Sequence, residues 1–281
     1  MRNNHPTAEG SEPHMSIVYR SKTTDRKAFV AHVLREFSPM LEAAHSVFVK
    51  VNLVSGELCP TTTHPATLEA VLEFLAGKDV SVGDAPALDA LGTDQILEDA
   101  PLKQLCDARG VPFVNLYKTV PRKIKSPRGY RFTMYTLPME KDLVISLPVL
   151  KSHNVCRMSG ALKNQFGYLP RKERLVMHVG GKDIHKGIAE LNVAAPPDVV
   201  IVDAVQTMVC AQEVRHGGQP AELGYMLAST DPVALDCLGL QILQQVEPRL
   251  AGASPQDVPH LRYAIEYGVG SPAFEVREVE L

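Results

Sequence analysis

The sequence predicts an α/β protein with a mostly parallel, Rossmann-like sheet and helices on both of its faces. Short apolar runs rich in valine or isoleucine alternate with stretches of helical periodicity, which is typical of a parallel sheet covered by helices. The chain has 281 residues, 45% of them apolar, and is therefore long enough to bury a sizeable core. The net charge of -3 argues against a nucleic-acid binder, because phosphate binding needs a basic excess. No apolar run approaches the roughly 20 residues of a membrane span, so we expect no contact with a membrane interior.

The predicted strands follow one another along the chain, separated by polar and turn-forming residues. They cover residues 46–53, 79–83, 112–116, 142–147 and 198–204. Helical periodicity predicts helices over residues 65–76 and 93–109; in the first, apolar residues recur at i, i+3, i+4 and i+7 from Leu68 onward. Later in the chain, Asp231 is suited to cap a helix whose first turn contains Pro232.

The domain organisation is predicted to be simple. Residues 1–14 are polar and lack the apolar core of a signal peptide, so we expect a flexible N-terminal extension. Residues 15–281 are expected to form a single α/β domain. A weak boundary near residue 140 allows two lobes, residues 15–140 and 141–281.

The five cysteines are scattered and odd in number: Cys59, Cys106, Cys156, Cys210 and Cys237. No CxxC pair occurs, so the chain has neither a zinc knuckle nor a self-contained iron–sulfur motif. Scattered thiols are typical of the reducing cytoplasm, where we expect the protein to reside.

A basic run between two predicted strands, residues 118–131, differs in composition from its surroundings. Its cations are Lys118, Arg122, Lys123, Lys125, Arg128 and Arg131. A solvated hairpin is one interpretation, since charge runs usually face water. The other is a lid that attracts an anionic substrate or a ferredoxin-like partner.

Polar residues follow several of the predicted strands directly. Ligands of open parallel sheets bind beyond the carboxyl ends of the strands, so these residues are candidates for one site. Lys50 and Asn52 end the first strand and are candidate substrate-binding residues. Thr63, a further candidate, or His64 would cap the helix that Pro65 starts and face an anion held there. Simple capping explains the same pattern.

Two aspartates also follow strands. Asp84 comes directly after residues 79–83, and Asp203 lies at the end of residues 198–204. Each carboxylate is well placed for a site, and Asp84 is equally suited to cap the next helix.

The richest cluster of reactive side chains lies within residues 151–178. Lys151, His153, Lys163 and His178 are the predicted catalytic residues, because histidine exchanges protons near neutral pH and a lysine with a lowered pKa acts as a base or nucleophile. A lysine that stays charged would instead hold a carboxylate or phosphate.

The same segment contains further predicted substrate-binding residues. Ser159, Gly160 and Asn164 suit a tight turn into a helix whose N-terminal backbone donates to an anion.

A metal site is an alternative use of the polar residues. His64, Asp84, Asp203 and His185 are the predicted ligands of a divalent metal, with His153 and His178 as further nitrogen donors. The histidines lack the HExxH spacing, and His185 lies in a polar run where solvation explains it equally well. Neither GxGxxG nor GxxxxGK[ST] occurs, which argues against ordinary nucleotide binding.

Six short motifs in order resemble a bacterial and archaeal family known as domain of unknown function three-six-two. They are KVNL (50–53), THP (63–65), VGD (82–84), LPVLKSH (147–153), SGALKNQFG (159–167) and DPVALD (231–236). The resemblance extends from about Ser46 to the C-terminal segment. Many members of this family carry an added ferredoxin-like cysteine cluster. This chain lacks one, so a bound cluster would have to come from a partner chain or from unusual ligands.

A more distant resemblance is to the nickel-pincer lactate racemases, in which the lysine of a Gly-Gly-x-Lys turn tethers the cofactor and histidines bind the metal or move protons. His153, Lys163 and His178 are similar to that pattern, but the glycine pair is replaced and the second proton-transferring histidine has no clear counterpart. The resemblance implies a shared scaffold and anion pocket.

Three functions follow from these observations. The first is an enzyme that acts on a small anionic, carboxylated metabolite by lysine and histidine acid–base chemistry, of isomerase or lyase type, with or without a metal. The second is a redox component that works with a separate iron–sulfur protein docked on the basic run. The third is a non-catalytic protein that binds a metabolite or metal.

Overall fold

The computed structural model describes residues 15–90 and 92–281; the expected extension over residues 1–14 lies outside them. Its strands are β1 Ser16–Lys22, β2 Ser46–Val51, β3 Asp79–Asp84, β4 Phe113–Asn115, β5 Pro121–Lys125, β6 Arg131–Tyr135, β7 Leu143–Leu147, β8 Lys151–His153, β9 Arg157–Ser159, β10 Val199–Val209, β11 Gln219–Ser229 and β12 Phe274–Glu278. Its α-helices are α1 Arg26–Glu36, α2 Ser38–Ala43, α3 Pro65–Phe74, α4 Thr93–Asp99, α5 Pro101–Ala108, α6 Ala161–Asn164, α7 Arg171–His178, α8 Ile184–Ala194, α9 Pro232–Leu243 and α10 Pro259–Glu266.

Within the described residues, eight strands form one sheet in the order β12-β1-β11-β10-β7-β2-β3-β4. All neighbouring pairs are parallel except those that β11 makes with β10 and with β1. The sheet contains strands from both sides of residue 140. Two short antiparallel pairs, β5–β6 and β8–β9, lie outside it. The predicted mostly parallel α/β fold is confirmed.

Helices cover both faces of the sheet, and the alternating side chains of β2 show which helices pack on each face. Val47, Val49 and Val51 pack in one buried apolar cluster, together with residues of α1, α3 and α5. Phe48 packs in a second cluster, with residues of α6, α8, α9 and α10. Successive side chains of a strand point to opposite faces, so Lys50 shares the face of Phe48.

Helix starts agree with the capping signals of the sequence. The Nδ1 atom of His64 accepts from the amide of Ala66 (3.1 Å) at the start of α3. Asp231 accepts from the amides of Val233 and Ala234 at the start of α9 (2.8 and 3.0 Å). Both helices have proline at their first position, where the missing N–H costs nothing.

Two details differ from the sequence prediction. The single helix expected over residues 93–109 is two helices, α4 and α5, because Pro101 cannot continue a helix and instead begins one. The predicted strand over residues 198–204 continues to Val209, past a register shift after Ala204. The basic run contributes to the hairpin β5–β6, in agreement with the first of its two interpretations, and β5 is largely exposed. On β6, Phe132, Met134 and Tyr135 are buried in the core. No helix in residues 15–90 and 92–281 is both long and apolar enough to cross a bilayer.

Candidate active site

A cavity of about 350 Å³ lies where β2, β3 and β7 end. Parallel strands present their carboxyl ends at one edge of a sheet, and this is where α/β folds bind ligands. The segment from β7 to α6, the helix α7 and the turn between β10 and β11 complete its walls. All four predicted catalytic residues line it.

The wall formed by β2 and β3 contains a buried ion pair. The Nζ atom of Lys50 lies 2.7 Å from Asp84 Oδ1 and donates to the carbonyl of Val51 (2.7 Å). Asp84 also accepts from the amides of Leu53 (2.8 Å) and Ala85 (2.7 Å). Both charges are therefore satisfied by the protein itself.

A glycine makes room for this pair. A Cβ atom on Gly167 would overlap Asp84 Oδ1 and lie 2.7 Å from Lys50 Nζ. Any side chain at this position would displace one of the two charged groups.

Arg174, on α7, is a further cation of this wall, and its hydrogen bonds are made to the protein itself. Its guanidinium donates to four backbone carbonyls, those of Leu169 (2.7 Å), Pro86 (2.7 Å), Ala85 (3.1 Å) and Gly167 (2.8 Å). It therefore ties α7 to the loop after β3 and is not available to a ligand.

Two other lysines that line the cavity have no carboxylate partner among the described residues. Lys151 is buried, and its ammonium donates to the carbonyl of Thr61. Among residues 15–90 and 92–281 it forms no ion pair, and burial together with nearby Lys163 lowers its pKa to about 7. An amine with this pKa is partly neutral at physiological pH.

Lys163 is more open to the cavity. Its Nζ lies 5.2 Å from the centroid of the Phe166 ring, and no carboxylate in the described part of the chain pairs with it. Burial lowers its pKa. An anion in the cavity would provide the missing counter-charge.

The tautomer of His153 follows from its hydrogen bonds. Its Nδ1 atom accepts from the backbone amides of Val155 (3.1 Å) and Cys156 (3.2 Å), so a neutral ring carries its proton on Nε2. Burial, with Lys163 and Lys151 nearby, holds the pKa of His153 well below its usual value. This imidazole is therefore a neutral N–H donor.

His178 has the opposite tautomer. Its Nδ1 atom lies 2.8 Å from the carbonyl oxygen of Arg174, which can only accept, so Nδ1 is protonated and Nε2 has a free lone pair. The ring packs edge-on against Phe166, whose centroid is 5.7 Å away. In their neutral forms, His153 therefore carries its proton on Nε2, and His178 carries a lone pair there.

The start of α6, the helix that contains Lys163, is held by a side chain of α9, which is distant in the sequence. Asp236 of α9 accepts from the amides of Ala161 (2.7 Å) and Leu162 (3.1 Å). A Cβ atom on Gly160 would overlap the Asp236 carboxylate, so this glycine is required for the contact. Burial raises the pKa of Asp236 to about 7.

The predicted substrate-binding residues fall into two groups. Lys50, Asn52, Ser159, Gly160 and Asn164 line the cavity. Of these, Asn52 and Asn164 use their amide groups within the protein: Asn52 Nδ2 donates to the carbonyl of Thr61 (2.9 Å), and Asn164 Nδ2 donates to Ser146 Oγ (2.9 Å).

Thr63 lies outside the cavity, in a second and larger one of about 730 Å³ next to α4 and α5. Its hydroxyl accepts from the amide of Asn52 (2.8 Å) and donates to the carbonyl of Leu147 (2.7 Å). It therefore joins the end of β2 to the end of β7.

The four predicted metal ligands are not brought together. Asp203 lies on the sheet face opposite to Lys50, where it pairs with Arg26 (2.7 Å), because alternation along β10 directs it towards α1. His64 caps α3 beside the second cavity, and Asp84 is paired with Lys50. His185 stacks on His260, with ring centroids 6.4 Å apart.

His153 does not suit a metal ion at Nε2 either. A metal there would require the proton on Nδ1, which already accepts two backbone N–H groups.

The cavity is also lined by a charged group that no local sequence motif marks. Asp89, Glu213 and His216 bring their ligand atoms within 4.8 Å of one another, as a metal site would. Arg215 pairs with Glu213 (2.7 Å) and with Asp89 (2.9 Å), so a guanidinium already supplies positive charge there. The group joins the loop after β3 to the turn between β10 and β11.

Neither this group nor the Arg174 and Asp236 contacts could have been found from local motifs. Their partners are far apart in the sequence, and only the paired glycines at 217 and 218 mark the turn that contains Arg215.

Comparison with known proteins places the chain among relatives. The family described as Domain of unknown function (DUF362) matches residues 47–241. A thylakoid-associated protein of Synechocystis sp. is 31% identical over 207 residues, which cover 70% of this chain and 63% of that protein. The chain thus spans less than two thirds of the length of that relative.

Among solved structures, the lactate racemase apoprotein from Thermoanaerobacterium thermosaccharolyticum is similar with a TM-score of 0.49 and 14% sequence identity. The match covers 66% of this chain and 50% of that one. A likeness at this distance does not extend to chemistry.

Proposed function

The chain belongs to the DUF362 family, and we propose that it is an enzyme that transfers a proton on a small carboxylated metabolite. One observation carries the proposal: His153 and His178 line one cavity as opposite tautomers, a donor and an acceptor, next to a lysine that lacks a counter-ion. Opposed donor and acceptor groups beside a charged anchor are what a proton-transfer site needs.

Each side chain then has a separate role. Lys163 holds the carboxylate of the substrate, because its ammonium has no protein counter-charge in the described residues. His153 donates its Nε2–H to a carbonyl or hydroxyl oxygen of the substrate and so stabilises negative charge that develops there. His178 Nε2 accepts the proton from the adjacent carbon and returns it to the substrate or product.

The size of the cavity suits this class of substrate. About 350 Å³ is at the small end of ligand pockets, so a metabolite of a few carbon atoms fits better than a nucleotide. The reaction class is isomerisation or lyase-type cleavage, since both begin with proton removal next to a carbonyl or carboxylate.

The first test is hydrogen exchange. The full chain is incubated in D₂O with small 2-hydroxy, 2-oxo and 2-amino carboxylates, and deuterium next to the carboxylate or carbonyl is followed by NMR. We expect exchange with at least one class, and its loss in His178→Gln and Lys163→Met without a lower melting temperature. Lys172→Met, which removes an exposed lysine of α7, is the matched control.

Two results would contradict the proposal. Exchange that persists in His178→Gln would remove the proposed base. Tight binding of a carboxylate with no exchange in any class would favour a non-catalytic binding protein.

For cellular location, we propose a reducing compartment such as the cytoplasm. All five cysteines are unpaired, and three of them are buried where oxidation would disturb packing. Fractionation of cells followed by immunoblotting tests this, and recovery from an oxidising compartment would contradict it.

A further inference from the structure

Lys151 differs from the other buried lysine of the cavity in what surrounds its amine. Lys50 is equally buried but lies 2.7 Å from the Asp84 carboxylate. Lys151 donates only to a neutral carbonyl, that of Thr61, and within the described residues no carboxylate pairs with it. A buried amine without a counter-ion favours its neutral, nucleophilic form.

The groups next to Lys151 match two functional groups on one small molecule. The charge of Lys163 lowers the pKa of Lys151, and Lys163 is itself suited to hold a carboxylate. His153, two residues along the same strand, donates an N–H into the same cavity and suits the oxygen of a ketone or aldehyde. A carboxylate next to a carbonyl is the defining feature of a 2-oxo acid.

We propose that Lys151 is a nucleophile that forms an imine with the carbonyl group of a small 2-oxo carboxylate. This inference rests on the proposed function and deepens it, since it names the substrate class of the same site. Lys163 anchors the carboxylate, and the carbonyl carbon lies at Lys151 Nζ.

The step balances without any additional reactant. The lone pair of Lys151 Nζ forms a bond to the carbonyl carbon, and a proton passes from the nitrogen to the carbonyl oxygen to give a neutral carbinolamine. The nitrogen lone pair freed in this way then forms the C=N bond as the C–O bond breaks, and the oxygen leaves as water with a second proton, which the solvent supplies. The protonated imine withdraws electrons from the neighbouring carbon, whose proton passes to His178 Nε2; hydrolysis reverses the addition.

The pH dependence of this step has a definite direction. Only the neutral amine attacks, so the rate of adduct formation falls about tenfold for each pH unit below about 7 and levels off above it. The charged or titratable groups that act on Lys151 are Glu213, Lys163, Glu57, Cys59 and His153. Of these, Cys59 stays a neutral thiol because burial raises its pKa to about 12, and His153 stays neutral because burial lowers its pKa.

Reductive trapping tests the inference. The full chain is treated with pyruvate and sodium cyanoborohydride at several pH values, digested, and mapped by mass spectrometry. We expect the adduct on Lys151 to exceed that on any other lysine by about tenfold or more, with the pH dependence given above. Lys151→Arg should lose it, while Lys172→Arg should retain it.

The outcomes separate this inference from the proposed function. Labelling spread over surface lysines, or centred on Lys163, would overturn the role of Lys151. If Lys151→Arg keeps its fold and still exchanges hydrogen on 2-oxo acids, the imine is wrong and the proton-transfer function stands. If Lys151 is trapped but no carboxylate exchanges in D₂O, the imine stands and the proposed function fails.

Discussion

Lys50 and Lys163 line the same cavity, and the protein surrounds their ammonium groups differently. Lys50 is 2.7 Å from Asp84, and both partners are further satisfied by backbone groups. Lys163 faces an aromatic ring and pairs with no carboxylate of the described residues. Burial lowers the pKa of both lysines, but only Lys50 is compensated by an adjacent carboxylate.

This difference in partners distinguishes a charge that stabilises the fold from a charge that is left for a ligand. Burying an ion is costly unless it is paired, and removal of one member of a buried pair leaves the other uncompensated. An unpaired cation that is kept in spite of this cost indicates a ligand that pairs with it. Under the proposed function, Lys50 therefore supports the structure of the site, and Lys163 binds the carboxylate of the substrate.

The largest expected effect is on stability, from Lys50→Met. It leaves Asp84 buried without its cation, so we expect the free energy of unfolding to fall by about 3–5 kcal/mol. Urea denaturation measures the change, with Lys172→Met as the exposed control. A loss below about 1 kcal/mol, the size expected of a surface pair, would mean that Asp84 does not need its partner.

The reverse pattern is expected for Lys163→Met. Removal of this uncompensated, half-buried charge should leave stability unchanged or raise it. Catalysis should fall about 100-fold or more, because the substrate carboxylate loses its anchor. Kinetics and denaturation on the same variant measure both effects. A variant that is less stable but fully active would invert the roles proposed for Lys50 and Lys163.

A smaller effect is expected from Gly167→Ala. The new methyl group would overlap Asp84 Oδ1 and crowd Lys50 Nζ, so we expect a loss of about 1–3 kcal/mol through strain on the pair. Gly56→Ala is the matched control, since a Cβ atom there meets nothing within 4 Å. Equal stabilities of the two variants would show that the pair can shift without cost.

The smallest effect is expected at His64, which lines the second cavity and not the one that contains Lys50 and Lys163. His64→Ala removes the cap of α3 and should cost about 0.5–2 kcal/mol, with catalysis unchanged. His64→Asn should restore most of the loss, because its side chain can also accept from the backbone. A large drop in catalysis in either variant would extend the functional region to the second cavity.

The sequence carried enough information to predict the fold and to predict that several polar side chains meet at one cavity. Valine-rich runs marked the strands, and strand ends pointed to one edge of the sheet, where Lys50, Asp84, Lys151, His153 and Lys163 do line one cavity. Proline and aspartate marked helix starts such as that of α9. These signals are local, so a single sequence contains them.

The remaining features depend on groups that are distant in the sequence. Asp203 and Lys50 were both predicted at strand ends, but Asp203 lies within the longer strand β10. The pleat directs the two side chains to opposite faces, and the register that decides this is set by neighbouring strands. The tautomers of His153 and His178 depend on which backbone groups meet each ring. Likewise, the four carbonyls around Arg174 come from two separate loops.

The contact between Gly160 and Asp236 also constrains how this chain can vary. The carboxylate fills the space where a side chain at position 160 would begin. An alanine at 160 therefore becomes tolerable only when position 236 carries a smaller residue, and such a residue no longer reaches the amides of α6. The two positions form a coupled pair, so substitutions at one should be rescued or worsened by substitutions at the other, although 75 residues separate Ala161 from Asp236.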